Sequence, residues 1–172
     1  MTAIAIRPEE PGDEAAIHAL TSAAFHDMPF SDGSEADLVD RLRADGDLAL
    51  SLVAVNLDEA IVGHIAFSRV TISDGSADWY QLSPVSVIPS GQRGGIGSAL
   101  IERGLADLRE RGARGCVLLG NPDYYGRFGF EHDPALELPG HGPAKAFQRL
   151  VFEGDAPSGK VTLPPAYDPP GD

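Results

Sequence analysis

The stretch Val85-Ser86-Val87-Ile88-Pro89-Ser90-Gly91-Gln92-Arg93-Gly94-Gly95-Ile96-Gly97-Ser98-Ala99-Leu100 constrains the fold more than any other. It runs from an apolar, β-branched segment through a glycine-rich turn into an amphipathic one. Ile96, Leu100, Ile101, Leu105 and Leu108 share one helical face, and Glu102, Asp107, Arg109 and Glu110 lie away from it, which predicts a helix over 95–111. Gly112 ends that helix. Arg114 to Leu119 then reads as a short, unbroken apolar strand of the kind buried on both faces. Trp79 to Leu119 is therefore a strand–loop–helix–strand unit whose two strands are expected to be parallel, through a right-handed crossover. Pro84 falls inside the first of them. A proline cannot donate to a ladder, so a central strand should bulge there and lose pairing to one neighbour. The predicted consequence is a gap in the sheet beside the glycine turn.

The other elements are arranged around this unit. Thr2 to Arg7 reads as a strand, and Asp13 as the N-cap of a helix ending near Phe25. His26 to Gly33 is a loop. Ser34 caps a second helix, with Asp37 in a weak capping box and Gly46 past its end. Leu48 to Asn56 and Ala60 to Ile72 form a hairpin. After the parallel unit, Asp123 is expected to cap a short helix over Tyr124 to Phe128. Strands are expected over Phe130 to Leu138 and Ala146 to Phe152. The Pro/Gly-rich tail 154–172 is expected to hold little regular structure beyond Lys160 to Leu163. With 172 residues, the chain is expected to be one α/β domain over 1–172, with its core in 2–153 and a mixed sheet carrying helices.

Gly94, Gly95 and Gly97 let the backbone approach a ligand closely. The helix behind them aims unpaired N–H groups and a positive dipole end into the same space. This suits a phosphate or pyrophosphate, although a tight turn with no ligand has the same glycines. Two phosphate readings fail. A P-loop needs lysine before Ser/Thr at the helix start, and Gly97-Ser98 has none; the Rossmann fingerprint needs a third glycine where Leu100 stands. The net charge of −13 excludes the basic footprint of a nucleic-acid binder. It fits a cationic small molecule or simple solubility. The longest apolar run, about Leu48 to Val55, is far shorter than the ~18 residues of a membrane span. The N-terminus lacks a signal-peptide pattern, so a cytoplasmic location is expected. Cys116, alone of its kind and inside an apolar run, reads as a buried structural thiol. The five histidines show no metal-ligand spacing, and no metal is expected.

A second motif, Gly120-Asn121-Pro122-Asp123-Tyr124-Tyr125-Gly126-Arg127-Phe128-Gly129-Phe130, follows the next strand directly. Together with Gln92-Arg93-Gly94-Gly95-Ile96-Gly97, matching Q/R-x-x-G-x-G/A, it resembles the GCN5-related N-acetyltransferase (GNAT) superfamily, and within it the YhbS-like subgroup of predicted acetyltransferases. The resemblance covers roughly residues 2–153, and the tail Gly159 to Tyr167 is also similar to that subgroup. It implies a mostly antiparallel central sheet with two splayed parallel strands, here Trp79–Ile88 and Arg114–Leu119, that hold acetyl-CoA in the wedge between them. It implies that Gln92, Arg93, Gly94, Gly95, Ile96, Gly97 and Ser98 cradle the pyrophosphate. By the same resemblance Val85, Ser86 and Val87 line the pantetheine arm, with Val85 N–H polarising the thioester carbonyl, and Asn121 and Tyr125 lie at the cofactor. Tyr125 is implied as the general acid for the departing thiolate, and Tyr124 reads as packing.

The general base is left open. Where many family members carry a strand glutamate, this chain has Gln81, Leu82 and Ser83. A water route, Glu35 at a helix start and His64 in a central strand are the candidates. The acceptor site is expected under the loop Phe25–Ser34, near the strand Ala60–Ile72. A small-molecule or peptide amine is the expected acceptor, taken by a monomer or a homodimer, with neither nucleic acid nor membrane as partner. The competing reading is a non-catalytic acyl-CoA binding or sensing module with the same fold.

Overall fold

The structure, a computed structural model, describes residues 3–26, 33–92, 94–140 and 144–167. In chain order the elements are β1 (Ile4–Pro8), α1 (Glu14–Phe25), α2 (Glu35–Asp45), β2 (Leu48–Asn56), β3 (Ile61–Ile72), β4 (Trp79–Val87), α3 (Ile96–Glu110), β5 (Gly115–Leu119), α4 (Pro122–Tyr125), β6 (Leu136–Glu137), β7 (Phe147–Val151) and β8 (Gly159–Thr162). The sheet runs β1-β2-β3-β4-β5-β7, with β8 joined to the end of β3 and β6 to β8. Every pairing along the main path is antiparallel except β4 with β5, which is parallel.

Strand alternation sorts the core into two layers. Ile65, Phe67, Leu82, Cys116 and Leu118 pack with Ile96, Leu100, Ile101, Leu105 and Leu108 of α3. On the opposite face, Val53 packs with Ile17 of α1 and Val39 of α2. The helix stripes read from the sequence are thus the stripes that are buried. A hydrogen bond between His18 Nδ1 and Asp40 Oδ2, 2.7 Å apart, ties α1 to α2.

The gap at Pro84 is present. Along β3 and β4, Ile65 lies opposite Val85 and Phe67 opposite Leu82, so β4 carries one extra residue in the Ser83–Pro84 segment. The parallel ladder to β5 spans only Trp79–Gly115, Tyr80–Cys116 and Gln81–Val117. Beyond Gln81 the two strands part.

Four local expectations change. Asp13 does not cap α1 through its side chain; its carboxylate is taken by Arg7 Nη1, at 2.8 Å, and by Glu10 N–H, at 2.8 Å. Asn121, not Asp123, caps α4, by accepting from Asp123 N–H at 2.9 Å. The helix expected over Tyr124–Phe128 starts earlier, at Pro122, and closes with a 3₁₀ turn over Gly126–Phe128. The strand expected over Phe130–Leu138 reduces to a bridge from Glu131 to Arg149 and to the two residues of β6. In the tail the element expected at Lys160 to Leu163 is present as β8, paired with β3, and a 3₁₀ turn follows over Pro165–Tyr167.

Candidate functional site at the opened strand pair

The site is built where β4 leaves β5. Ile88 N–H donates to Val62 O at 3.0 Å. Alternation along an antiparallel strand therefore turns the Val85 and Val87 backbone groups to the other edge, the one β5 has left. The Val85 and Val87 side chains pack against the α3 layer, and Ser86 points to the opposite layer, where its Oγ lies 3.5 Å from Thr21 Oγ1 of α1. The Gln92 amide covers the rim of the opened edge, its Nε2 donating to Val87 O at 3.3 Å.

The start of α3 faces the same opening. Gly95 precedes it with φ 88°, a left-handed conformation that costs a residue with a Cβ about 1–2 kcal/mol. The first helical bond runs from Ala99 N–H to Gly95 O, 3.0 Å. The N–H groups of Ile96, Gly97 and Ser98 consequently have no intrahelical partner. α1 and α2 carry acidic residues in their first turns, and α3 carries none. That absence preserves the positive end of its dipole for an anion. A Cβ on Gly97 would meet only Val87 Cγ2 at 3.7 Å and the Tyr124 hydroxyl at 4.0 Å, ordinary contacts. Arg93 lies outside the described residues. Arg127 stands near the opening, stacked 4.4 Å over the Tyr124 ring, with Nε donating to Tyr124 O at 2.9 Å.

The two tyrosines of α4 close the far wall. Tyr125 packs edge-on to Tyr124 at 4.9 Å between ring centres and to Phe130 at 6.2 Å. Gly120 makes room for it, since a Cβ there would sit 2.5 Å from the Tyr125 ring. Burial pushes the Tyr125 phenol up to about 12, and it keeps its proton at neutral pH. Tyr124 packs as expected, but it also reaches the site: its hydroxyl is 3.2 Å from Ser98 Oγ in the first turn of α3. The sequence signal for that second contact is the Tyr-Tyr pair itself, since neighbours on a helix project in directions about 100° apart. Asn121 acts through its cap, which orients the turn that carries both rings.

The two base candidates are not brought to this wall. Glu35 lines a cleft of ≈ 340 Å³ between the C-terminal half of α1 and the start of α2, together with Thr21, Phe25, His26 and Ala36. Residues 27–32 of the loop expected over the acceptor lie outside the described residues. His64 is fully buried in β3, directly opposite Ser86. Ser51 Oγ donates to Glu9 Oε1 at 2.8 Å and lies 2.8 Å from His64 Nε2. The serine has one proton to give, so His64 carries its own on Nε2 and donates it. Glu9 is in turn held by Arg43 Nη2 at 2.7 Å. Desolvation pushes His64 down to about 4, leaving a neutral imidazole at pH 7. Cys116 is buried, and burial pushes its thiol up, as a structural cysteine requires. No helix among the described residues is long and apolar enough to cross a membrane.

A mixed sheet whose parallel β4–β5 pair opens beside a glycine-capped helix start defines the acetyltransferase class that the sequence motifs resemble. Residues 5–132 match the acetyltransferase (GNAT) domain family, and the chain belongs to it. It is 38% identical, over 162 residues, to the uncharacterized N-acetyltransferase YhbS of Escherichia coli K12, covering 92% of this chain and 93% of that one. The crystal structure of a GNAT family acetyltransferase from Brucella melitensis in complex with acetyl-CoA superposes with a TM-score of 0.85 at 46% identity, covering 98% of this chain and 100% of that one. The crystal structure of Escherichia coli YhbS in complex with CoA superposes with a TM-score of 0.90 at 31% identity, over 99% of this chain and 95% of that one.

Proposed function

We propose that this chain transfers the acetyl group of acetyl-CoA directly to an amine. The observation that carries the reading is the opened edge of β4: Val85 and Val87 turn backbone groups, paired by no neighbouring strand, to a gap whose other end is the start of α3. The gap suits an extended thioester arm ending in a pyrophosphate. The backbone N–H groups over 95–98 take the pyrophosphate, with Arg93 and Arg127 offsetting its charge in an otherwise acidic protein. Val85 and Val87 bond the pantetheine as a neighbouring strand would. Val85 N–H donates to the thioester oxygen as negative charge builds on it. Acetyl-CoA supplies the activated acyl group. The Tyr125 phenol donates its proton to the departing sulfur as the C–S bond breaks. The amine enters from the α1–α2 face, and the proton that the nitrogen loses as the C–N bond forms passes to water or to Glu35, which lines the cleft there. His64, enclosed and neutral, holds the sheet rather than the substrate.

The test is to incubate the protein with acetyl-CoA and a panel of primary amines, following free CoA thiol. Thiol release that depends on one class of amine supports transfer. Acetyl-CoA binding without release across the panel would overturn it in favour of a binding or sensing module.

A further inference from the structure

The C-terminal tail has no part in the reading above, yet its last described residue lies at the irregular point of β4. β8 fixes the tail to β3 through Thr162 opposite Thr71 and Val161 opposite Ile72. Arg41 of α2 then donates from Nη2 to Ala166 O at 2.9 Å, and Ala166 is buried. The next residue, Tyr167, donates its hydroxyl to Ser83 O at 3.3 Å. Ser83 belongs to the bulged segment, next to Pro84 and two residues before Val85. Tyr167 reaches it from the α1–α2 face, beside Ser68, while the cofactor gap lies along the edge toward β5. Ser68 and Gln81 are directly opposite on β3 and β4, and both are buried. The Ser68 hydroxyl lies against that of Tyr167, and Gln81 Oε1 has no hydrogen-bond partner among the described residues. A polar group left so in the middle of a sheet is costly. Here the pair sits where many members of the resembled family carry a catalytic side chain, under a phenol brought in from the other end of the chain.

We propose that Tyr167 is a positioning residue for acetyl transfer: by holding the Ser83 carbonyl from behind, it fixes the β4 bulge and so the aim of Val85 N–H at the thioester oxygen. The inference rests on the transfer reading above. A strand segment with an extra residue has more than one way to lie, and proline at 84 leaves it one N–H fewer to anchor it. The Tyr167 hydrogen bond supplies an anchor from outside the sheet. The tail is then part of the catalytic domain.

Tyr167→Phe removes the bond and keeps the ring. The expected result is a fall in kcat of about tenfold, the scale of a small misplacement of a reacting group, with the KM and affinity for acetyl-CoA unchanged. A second readout needs no acceptor: the carbonyl resonance of bound [1-¹³C]acetyl-CoA should lie downfield of the free value in the parent protein and move back toward it in the variant. Retained acetyl-CoA affinity shows that the variant is folded. The proposal is overturned if kcat and resonance are both unchanged, if affinity falls by the same factor as kcat, or if the parent shows no downfield displacement. A displaced resonance without acetylation of any amine would sink the transfer reading and leave the role of Tyr167 to be decided by the resonance alone.

Discussion

Tyr125 and His64 show how position decides what a titratable side chain does. Both are desolvated, and in both the neutral form wins. In the proposed transfer, the neutral Tyr125 phenol carries the proton that a leaving thiolate needs. Tyr125→Phe is expected to lower kcat by about 10²-fold, within the range for loss of a general acid, while acetyl-CoA affinity by calorimetry stays unchanged. For His64 the consequence is stability. Its folded value, about 4, lies below the unfolded value near 6.5. The unfolded chain therefore binds the extra proton first as pH falls. The stabilisation is complete above about pH 6.5 and is lost progressively toward pH 4. Between pH 7 and pH 5 this one group should remove about 2 kcal/mol from the unfolding free energy. Denaturant unfolding at the two pH values should show the loss in the parent protein. In His64→Gln the same comparison should lack that slope, whatever its absolute stability.

At the scale of elements, α3 and its glycine turn carry the sharpest contrast. Gly95 has φ 88°, whereas Gly97 lies inside the helix with ordinary space around its missing side chain. Gly95→Ala should cost about 1–2 kcal/mol and weaken acetyl-CoA binding, because the strained residue must rotate and carry the first helical N–H groups with it. Gly97→Ala should instead stabilise by roughly 0.5–1 kcal/mol, the helix preference of alanine over glycine. Its binding should be kept, as the Q/R-x-x-G-x-G/A pattern of the resembled family allows. Thermal melts with and without acetyl-CoA separate the two.

The same element was the most legible part of the sequence. A five-residue apolar stripe at helical spacing and a proline inside a strand are each tied to one physical outcome, and the structure contains both the α3 packing and the bulge. The elements that misled were those where side chains compete for the backbone. Asp13 fits the N-cap pattern, but the Arg7 guanidinium and the Glu10 N–H hold its carboxylate. The segment Phe130 to Leu138 is expected to be a strand but contains Asp133 and Pro134. Asp133 accepts from Ala135 N–H at 2.9 Å, a local turn that interrupts the ladder. In the site, Tyr125 and the glycine turn could be read from local motifs. Tyr167 could not, since its contact with Ser83 is made across 84 residues of the chain and nothing in a proline-rich tail marks it.

Across the whole molecule the sheet is two half-sheets with a short seam. β1 to β4 pair over long antiparallel registers, and β5 with β7 forms the other part. Three parallel pairs, Trp79 to Gln81 with Gly115 to Val117, join them along the main path. Past Gln81 the seam is open, and a ligand bonded along Val85 and Val87 would extend it. Binding to the folded state alone should then stabilise the entire domain. At a ligand concentration of 100 times Kd the gain is about 2.7 kcal/mol, or roughly 5–10 °C in melting temperature for a chain of this size. Hydrogen exchange locates the effect. In the free protein the Ile88 amide, bonded to Val62 O, should exchange slowly, and the Val85 and Val87 amides quickly. With acetyl-CoA bound, Val85 and Val87 should slow by at least tenfold while Ile88 changes little, since each opening must now also break a bond to the ligand. A rise in melting temperature without new protection at Val85 and Val87 would place the ligand elsewhere on the domain and would separate the anion site at α3 from the opened strand edge.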